Sequence, residues 1–255
     1  MSIAFADHIP LVMLHVVRAG AFFVTAPTFG TQADSRMLRL VLACALGLST
    51  WLISDRGDVA VRGLLDLGML AAREAMVGLA LGFAVAQTIA ALSSAGEILS
   101  HEMGFAMAQV VDPESGRPMP VMAQFFETIA MLLVFALDLH HDVLRALVGL
   151  QEVLPVGRAF DPAPVLAGLS QLVADALTYG LRYAMPVLGV MVVVTVVLVV
   201  LARAVPNINL MDFSFGLRIL LAMLACLYFL VESMPFVEAM FRDVIARAVG
   251  IFEGA

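Results

Sequence analysis

Charged residues divide the chain into apolar segments, and the lengths of these segments predict membrane-entering helices. Three segments have about the 20 residues that a helix needs to cross a bilayer; they are residues 75–96, 119–137 and 183–202. Three others are too short for an ordinary crossing, namely residues 19–33, 40–54 and 219–231. The pattern predicts an all-α integral membrane protein with about six hydrophobic helices, some of them short or interrupted by a charge.

Prolines mark the two substantial connectors, around residues 112–120 and 153–164. In the first, Asp112 precedes Pro113 and Gly116 follows, which is turn chemistry because a residue before proline is biased away from the helical region. We expect the preceding helix to end near Val111. Since the sequence shows no repeat and no long polar linker, we expect a single domain over residues 1–255.

The distribution of arginines does not support a simple topology. With the N-terminus inside, consecutive crossings would place seven arginines on the cytoplasmic side and five outside. An ordinary multispan protein has a clear excess of positive charge in its cytoplasmic loops. Several of the apolar segments are therefore not expected to be ordinary crossings.

Composition places the chain among membrane proteins and excludes several functions. Hydrophobic residues make up 62% of it and charged residues 14%, with a mean hydropathy of +1.00, so one core cannot bury its apolar surface. All 14 basic residues are Arg, so a Walker A lysine and a Schiff-base lysine are both missing. The net charge of -7 and the scattered arginines argue against a nucleic-acid surface.

No enzyme motif is visible. His140 and His141 are followed by Asp142, which does not match the HExxH metal motif. Adjacent histidines are not expected to place both imidazoles on one helical face, so we predict no metal site, no catalytic residues and no cofactor.

Small residues recur at every fourth position of the segment 75–96 and form one ridge on a helix. Such a ridge lets a neighbouring backbone approach closely, and packing is a better interpretation than the lining of a path. The ridge consists of Gly78, Gly82, Ala86, Ala90 and Ser94.

Charged residues within the apolar segments are a second set of candidates, because an ionised group in hydrocarbon usually faces protein or water. They are Arg18, Glu127, Asp175, Arg182 and Glu232. Ion pairing between helices is favoured over proton transfer. The alternative is an ion-coupled secondary transporter using Glu127 and Asp175, but that class predicts similarly broken helices in two halves, which the sequence does not display.

The loop around Asp112 and Pro113 is rich in methionine and other apolar residues. Methionine is unbranched and repacks easily, which suits a surface that must seal and then yield. A hairpin resting on lipid or on the core explains the same residues equally well. The residues that would form such a seal are Phe105, Met107, Val110, Val111, Asp112, Pro113, Glu114 and Met119.

Over nearly its whole length the chain resembles the FliR/SctT family of type III secretion export-gate subunits. The resemblance is carried by the order and spacing of several stretches, none of them specific alone: REAMVGLALGF, MGFAMAQVVDPESG, QFFETIAMLLVFALDLHHDVLRALV and VPNINLMDFSFGLRILL. The last of these is more typical of flagellar members than of SctT members from virulence injectisomes.

The resemblance implies a non-enzymatic subunit of the flagellar export gate. Such a subunit lies in the bacterial inner membrane, within the flagellar basal body, and passes unfolded flagellar proteins. It implies FliP, FliQ, FlhB and FlhA as partners, with which short and broken helices pack into a helical assembly. It also implies that residues 105–120 plug the closed channel.

Overall fold

The computed structural model describes residues 9–27, 36–54, 63–104, 109–111, 118–158, 160–204 and 210–253. The side chains of residues 109–111, 118, 119 and 210–214 are outside this description. Eight helices and one strand pair occur within these ranges. They are α1 (Ile9–Thr25), α2 (Arg36–Ile53), α3 (Leu64–Met103), β1 (Gln109–Val111), β2 (Pro118–Pro120), α4 (Val121–Ala136), α5 (Leu139–Val153), α6 (Pro162–Ala204), α7 (Leu210–Glu232) and α8 (Met234–Glu253).

The prediction of a helical membrane protein is confirmed. Four helical stretches are long and apolar enough to cross a membrane, or five if α4 and α5 are counted as one broken span. The four are Arg36–Ile53, Leu64–Met103, Pro162–Ala204 and Phe215–Glu232. Eight helices occur in the described residues where about six hydrophobic ones were expected, and α5 and α8 are the two helices without an apolar segment of their own.

Two helices are much longer than the apolar segments that predicted them. Helix α3 has 40 residues and continues through Glu74 and Glu97, while α6 has 43 residues and continues through Arg182 and Pro186. At 1.5 Å per residue each is about 60 Å long, roughly twice the thickness of a bilayer's hydrocarbon core. Both helices therefore have far more length than a single perpendicular crossing requires.

The chain forms two compact units, each assembled from segments that are distant in sequence. The first unit comprises Met1–Gln87, Asp138–Val173 and Phe241–Ala255, and the second comprises Thr88–Leu137 and Ala174–Met240. Helices α3 and α6 supply segments to both units. The single-domain assignment stays a prediction.

Each unit has its own apolar core. In the first unit, Val77 of α3 and Leu150 of α5 are fully buried, and the ring of Phe160 lies edge-on to Phe252 with centroids 6.3 Å apart. In the second unit, the Tyr183 ring lies 5.8 Å from Phe126 and 5.9 Å from Phe229, both edge-on. The aromatic contacts join helices α4, α6 and α7 around one centre.

Candidate functional site

The loop predicted as a seal contains an antiparallel strand pair. Strand β1 pairs with β2 in the register Gln109 to Pro120, Val110 to Met119 and Val111 to Pro118. Proline has no backbone N–H, so the pairing of Val110 with Met119 is the only one in which both residues can donate a hydrogen bond. The prolines also weaken β2 as a template for a further strand.

Helix α3 ends eight residues before the position predicted for it, at Met103 rather than near Val111. Gly104 follows with φ 81, and its N–H donates to the carbonyl oxygen of His101 at 3.2 Å. Glycine adopts this left-handed conformation without steric cost and so terminates the helix. The predicted end of α3 was wrong because it was placed from the turn residues Asp112 and Pro113, whereas Gly104 ends the helix earlier.

Gly104 also lies close to α7. A Cβ atom on Gly104 would be 3.1 Å from Cε2 of Phe215, so the start of the loop lies close to this helix within the second unit. The remaining seal residues are described less fully. Val110, Val111 and Met119 are described by their backbone only, and the rest lie outside the described residues: Phe105, Met107, Asp112, Pro113 and Glu114.

The small-residue ridge on α3 packs against α1 at its first end, and its last member, Ser94, lies near Gly180 of α6. At its first end, a Cβ on Gly78 would collide with the carbonyl oxygen of Arg18, and a Cβ on Gly82 would lie 2.7 Å from the carbonyl oxygen of Phe22. Thr25 Oγ1, 3.4 Å from the carbonyl oxygen of Leu79, adds a hydrogen bond between α1 and α3. Of the other members, Ala86 and Ser94 are half-buried and Ala90 is exposed.

Two close backbone approaches near the other end of α3 were missed. A Cβ on Gly96 would lie 2.5 Å from the carbonyl oxygen of Met122 in α4, and a Cβ on Gly180 of α6 would lie 2.6 Å from the carbonyl oxygen of Ala91. Both contacts lie in the second unit. Gly96 is not part of the every-fourth pattern, so its only sequence signal was a glycine in a helix interior.

Arg18 is the best-defined of the charges within apolar segments. Its Nε donates to Glu74 Oε2 at 2.6 Å, and its Nη1 donates to the carbonyl oxygen of Leu154 at 3.0 Å. The N–H of Gly157, whose φ is 86, donates to Glu74 Oε1 at 2.8 Å. One ion pair thus connects α1, α3 and the turn after α5, while Arg18 Nη2 has no partner among the described residues.

The other four charges occupy less enclosed positions. Glu127 and Asp175 are half-buried, and Arg182 and Glu232 are exposed. Glu74 was treated only as the boundary of an apolar segment, although it is buried. The sequence feature that could have indicated the burial of Glu74 was its position near the glycines of α3 that pack against α1.

The positions of His140 and His141 differ from those expected of adjacent histidines in a helix. The rings of His140 and His141 have centroids 4.1 Å apart, so adjacency does not keep the two imidazoles separate at the start of a helix. The carboxylate beside them belongs to Asp138, whose Oδ1 lies 3.4 Å from His141 Nδ1. It is not that of Asp142, the residue considered in the comparison with the HExxH motif. These three side chains form a group that could hold a metal ion.

Comparison with known proteins connects the whole chain to one family. Residues 9–244 match the family described as Bacterial export proteins, family 1. The flagellar biosynthetic protein FliR of Bacillus subtilis is 29% identical over 251 residues, which cover 95% of this chain and 93% of that protein. FliR of Escherichia coli is 29% identical over 233 residues, covering 90% of this chain and 87% of that protein.

A relative with another name also matches. The surface presentation of antigens protein SpaR of Shigella sonnei is 24% identical over 225 residues, which cover 84% of each chain. All these matches extend over most of both proteins. The resemblance read from the ordered stretches of sequence is therefore confirmed.

Proposed function

Since the chain belongs to family 1 of the bacterial export proteins, the FliR/SctT family, we propose that it is a non-enzymatic subunit of the flagellar type III export gate. The observation that carries this proposal is the similarity to FliR proteins over nearly the full length of both chains. The subunit would lie in the inner membrane at the flagellar basal body. There it would help to form, and to plug, the channel for unfolded flagellar proteins.

The exposed apolar helices leave surface that partner subunits can cover. Only 17% of α2 and 11% of the Phe215–Glu232 stretch of α7 are buried within the chain. These surfaces require lipid or the apolar helices of other subunits to cover them. In our proposal FliP and FliQ cover part of this area, and FlhB and FlhA lie next to the same assembly.

The loop at residues 105–120 would act as a steric plug. A short strand pair joins its two arms, and Gly104 at its start lies close to Phe215. Its apolar side chains, including Phe105, Met107, Val110, Val111 and Met119, would fill the closed lumen. Asp112, Pro113 and Glu114 would form its tip, and an arriving substrate or a rearranged partner would displace the arm.

Co-purification tests this function. A tagged copy of the chain, extracted from the membrane in mild detergent, should carry FliP and FliQ with it in a stable complex. A monodisperse chain that purifies alone and binds a small solute would contradict the gate and favour the transporter alternative.

A virulence injectisome is the second candidate, because the resemblance to the FliR/SctT family includes the SctT members of injectisomes. Deleting the encoding gene should abolish swimming and the secretion of flagellar proteins if the subunit is flagellar. A deletion strain that still swims but no longer secretes virulence effectors would assign the subunit to an injectisome instead.

A further inference from the structure

The break before helix α5 has an unusual backbone. Asp138 precedes α5 with φ 55, the only positive φ at a non-glycine residue in the ranges that the structure describes. Such a conformation is uncommon outside glycine and is often retained at functional sites. Asp138 occupies the N-cap position, where an aspartate usually accepts a hydrogen bond from the first helical turn, but its carboxylate makes no capping bond.

The Asp138 carboxylate instead lies beside two imidazoles. Its Oδ1 is 3.4 Å from His141 Nδ1, and the His140 ring lies 4.1 Å from the His141 ring between centroids. One ligand atom from each residue lies within 4.8 Å of the other two. The His141 and Asp138 side chains are 56% and 77% exposed, so an ion from solution can reach them.

Asp142, on the other side of the two histidines, already pairs with arginines and is not available to bind an ion. Its Oδ1 accepts a hydrogen bond from Arg145 at 3.0 Å, and its Oδ2 lies 3.5 Å from Arg242 Nε. These two arginines neutralise Asp142, whereas no arginine pair with Asp138 is seen among the described residues. The electrostatics of the turn therefore distinguish the two aspartates that flank the histidines.

We propose that Asp138, His140 and His141 bind a divalent transition-metal ion of the zinc class at the start of α5. Two imidazole nitrogens and one carboxylate oxygen are a donor set that Zn²⁺ accepts, with water in the remaining position. Bonds of about 2.1 Å in a tetrahedral site place ligand atoms about 3.4 Å apart. The 4.8 Å spread would close to this value by rotation of the exposed Asp138 and His141 side chains toward the half-buried His140.

The bound ion would tie the left-handed residue Asp138 to the first turn of α5. This inference is independent of the export function, because it rests only on the three side chains and the local backbone.

Zinc titration of the purified chain or gate complex, prepared without a polyhistidine tag, tests the site. Calorimetry should show one saturable equivalent of Zn²⁺ per chain. His140→Ala and His141→Ala should each weaken binding at least tenfold. His101→Ala, which removes an exposed histidine at the end of α3, is the matched control and should leave the affinity unchanged.

The Asp138→Gly variant distinguishes a loss of zinc binding from a loss of folding. Glycine adopts a positive φ without strain, so this variant should assemble as well as the parent while its affinity for Zn²⁺ falls at least tenfold. Absence of saturable binding to the parent chain would overturn the proposal. Equal affinity of the parent and the three ligand variants would overturn it as well.

Discussion

Arg18 and Glu74 form an ion pair that is almost completely withdrawn from solvent. Arg18 Nε lies 2.6 Å from Glu74 Oε2, and the two side chains are 2% and 3% exposed. Burying two charges carries a desolvation penalty that their attraction offsets only when further hydrogen bonds satisfy both groups. Leu154 and Gly157 each supply one such bond, while Arg18 Nη2 has no partner among the described residues, so the pair links α1, α3 and the turn after α5.

Removing either partner of this pair should be strongly destabilising. Arg18→Met leaves a buried carboxylate and Glu74→Met leaves a buried guanidinium, and each change should cost about 3–5 kcal/mol. Both variants should reduce the amount of assembled complex and its temperature of unfolding. Thermal unfolding of the purified complex and its yield from membranes measure these effects.

A double variant and an exposed pair provide the controls. Arg18→Met combined with Glu74→Met leaves no unpaired buried charge, so its cost should be well below the sum of the single costs. Arg145→Ala removes a pair with Asp142 in which the arginine is 78% exposed, and should cost less than about 1 kcal/mol. Additive single costs would contradict a coupled buried pair.

Gly82→Ala should disrupt the packing of α1 against α3. The added Cβ would collide with Thr25 Oγ1 and lie 2.7 Å from the carbonyl oxygen of Phe22, so the helices must move apart. Overpacking of this kind costs about 1–3 kcal/mol, and Gly82→Leu should lower the complex yield further. Gly68→Ala in the same helix meets nothing within 4 Å and should be neutral or slightly stabilising. Equal yields of complex from the Gly82 and Gly68 variants would refute the close approach.

Gly180→Ala makes the equivalent test in the second unit. Its Cβ would lie 2.6 Å from the carbonyl oxygen of Ala91, a backbone atom that cannot rotate away. We expect a loss of about 1–3 kcal/mol in stability. Gly189→Ala, also in α6, has open space around its Cβ and serves as the matched control. Unfolding temperatures that do not differ between the two would contradict the contact of α3 with α6.

Apolar segments predicted the helical membrane class well, but charges were poor markers of helix ends. Backbone hydrogen bonds continue through a charged residue when its side chain reaches either a buried partner or an exposed surface. Glu74 of α3 illustrates the first case, since its side chain is buried against Arg18 of α1. Arg182 illustrates the second, since it is exposed within α6. Neither outcome is encoded in local hydropathy, because each depends on residues distant in sequence.

The need for a partner strand also explains why the strand pair in the loop was not predicted. Val110 and Val111 favour a strand, but a three-residue strand forms only when a partner reaches it, and that partner begins at residue 118, after six intervening residues. Gly104 was the one local signal that α3 ends early. The position of Asp138 beside the histidine pair was not predicted either, because sequence periodicity does not reveal its positive φ.

Deleting residues 106–117 should open the proposed plug without preventing assembly. The deletion removes strand β1 and the residues between the two strands, while Gly104 remains in place near Phe215. Because no other described contact of α3 depends on these residues, the complex with FliP and FliQ should form at near-normal yield. The membrane should become leaky to ions or small molecules, as a dye-release or conductance measurement would show.

A replacement of equal length separates the plug's side chains from its length. Exchanging residues 106–117 for a Gly-Ser segment keeps the connection between α3 and α4 but removes the apolar surface and the strand pair with Met119. If apolar side chains seal the lumen, this variant should leak like the deletion, because a flexible polar segment leaves water in the channel. Leakage from the deletion alone would mean that the loop blocks the lumen by its bulk. An assembled complex with unchanged permeability in both variants would remove the plug from the mechanism and leave this subunit a structural role in the gate.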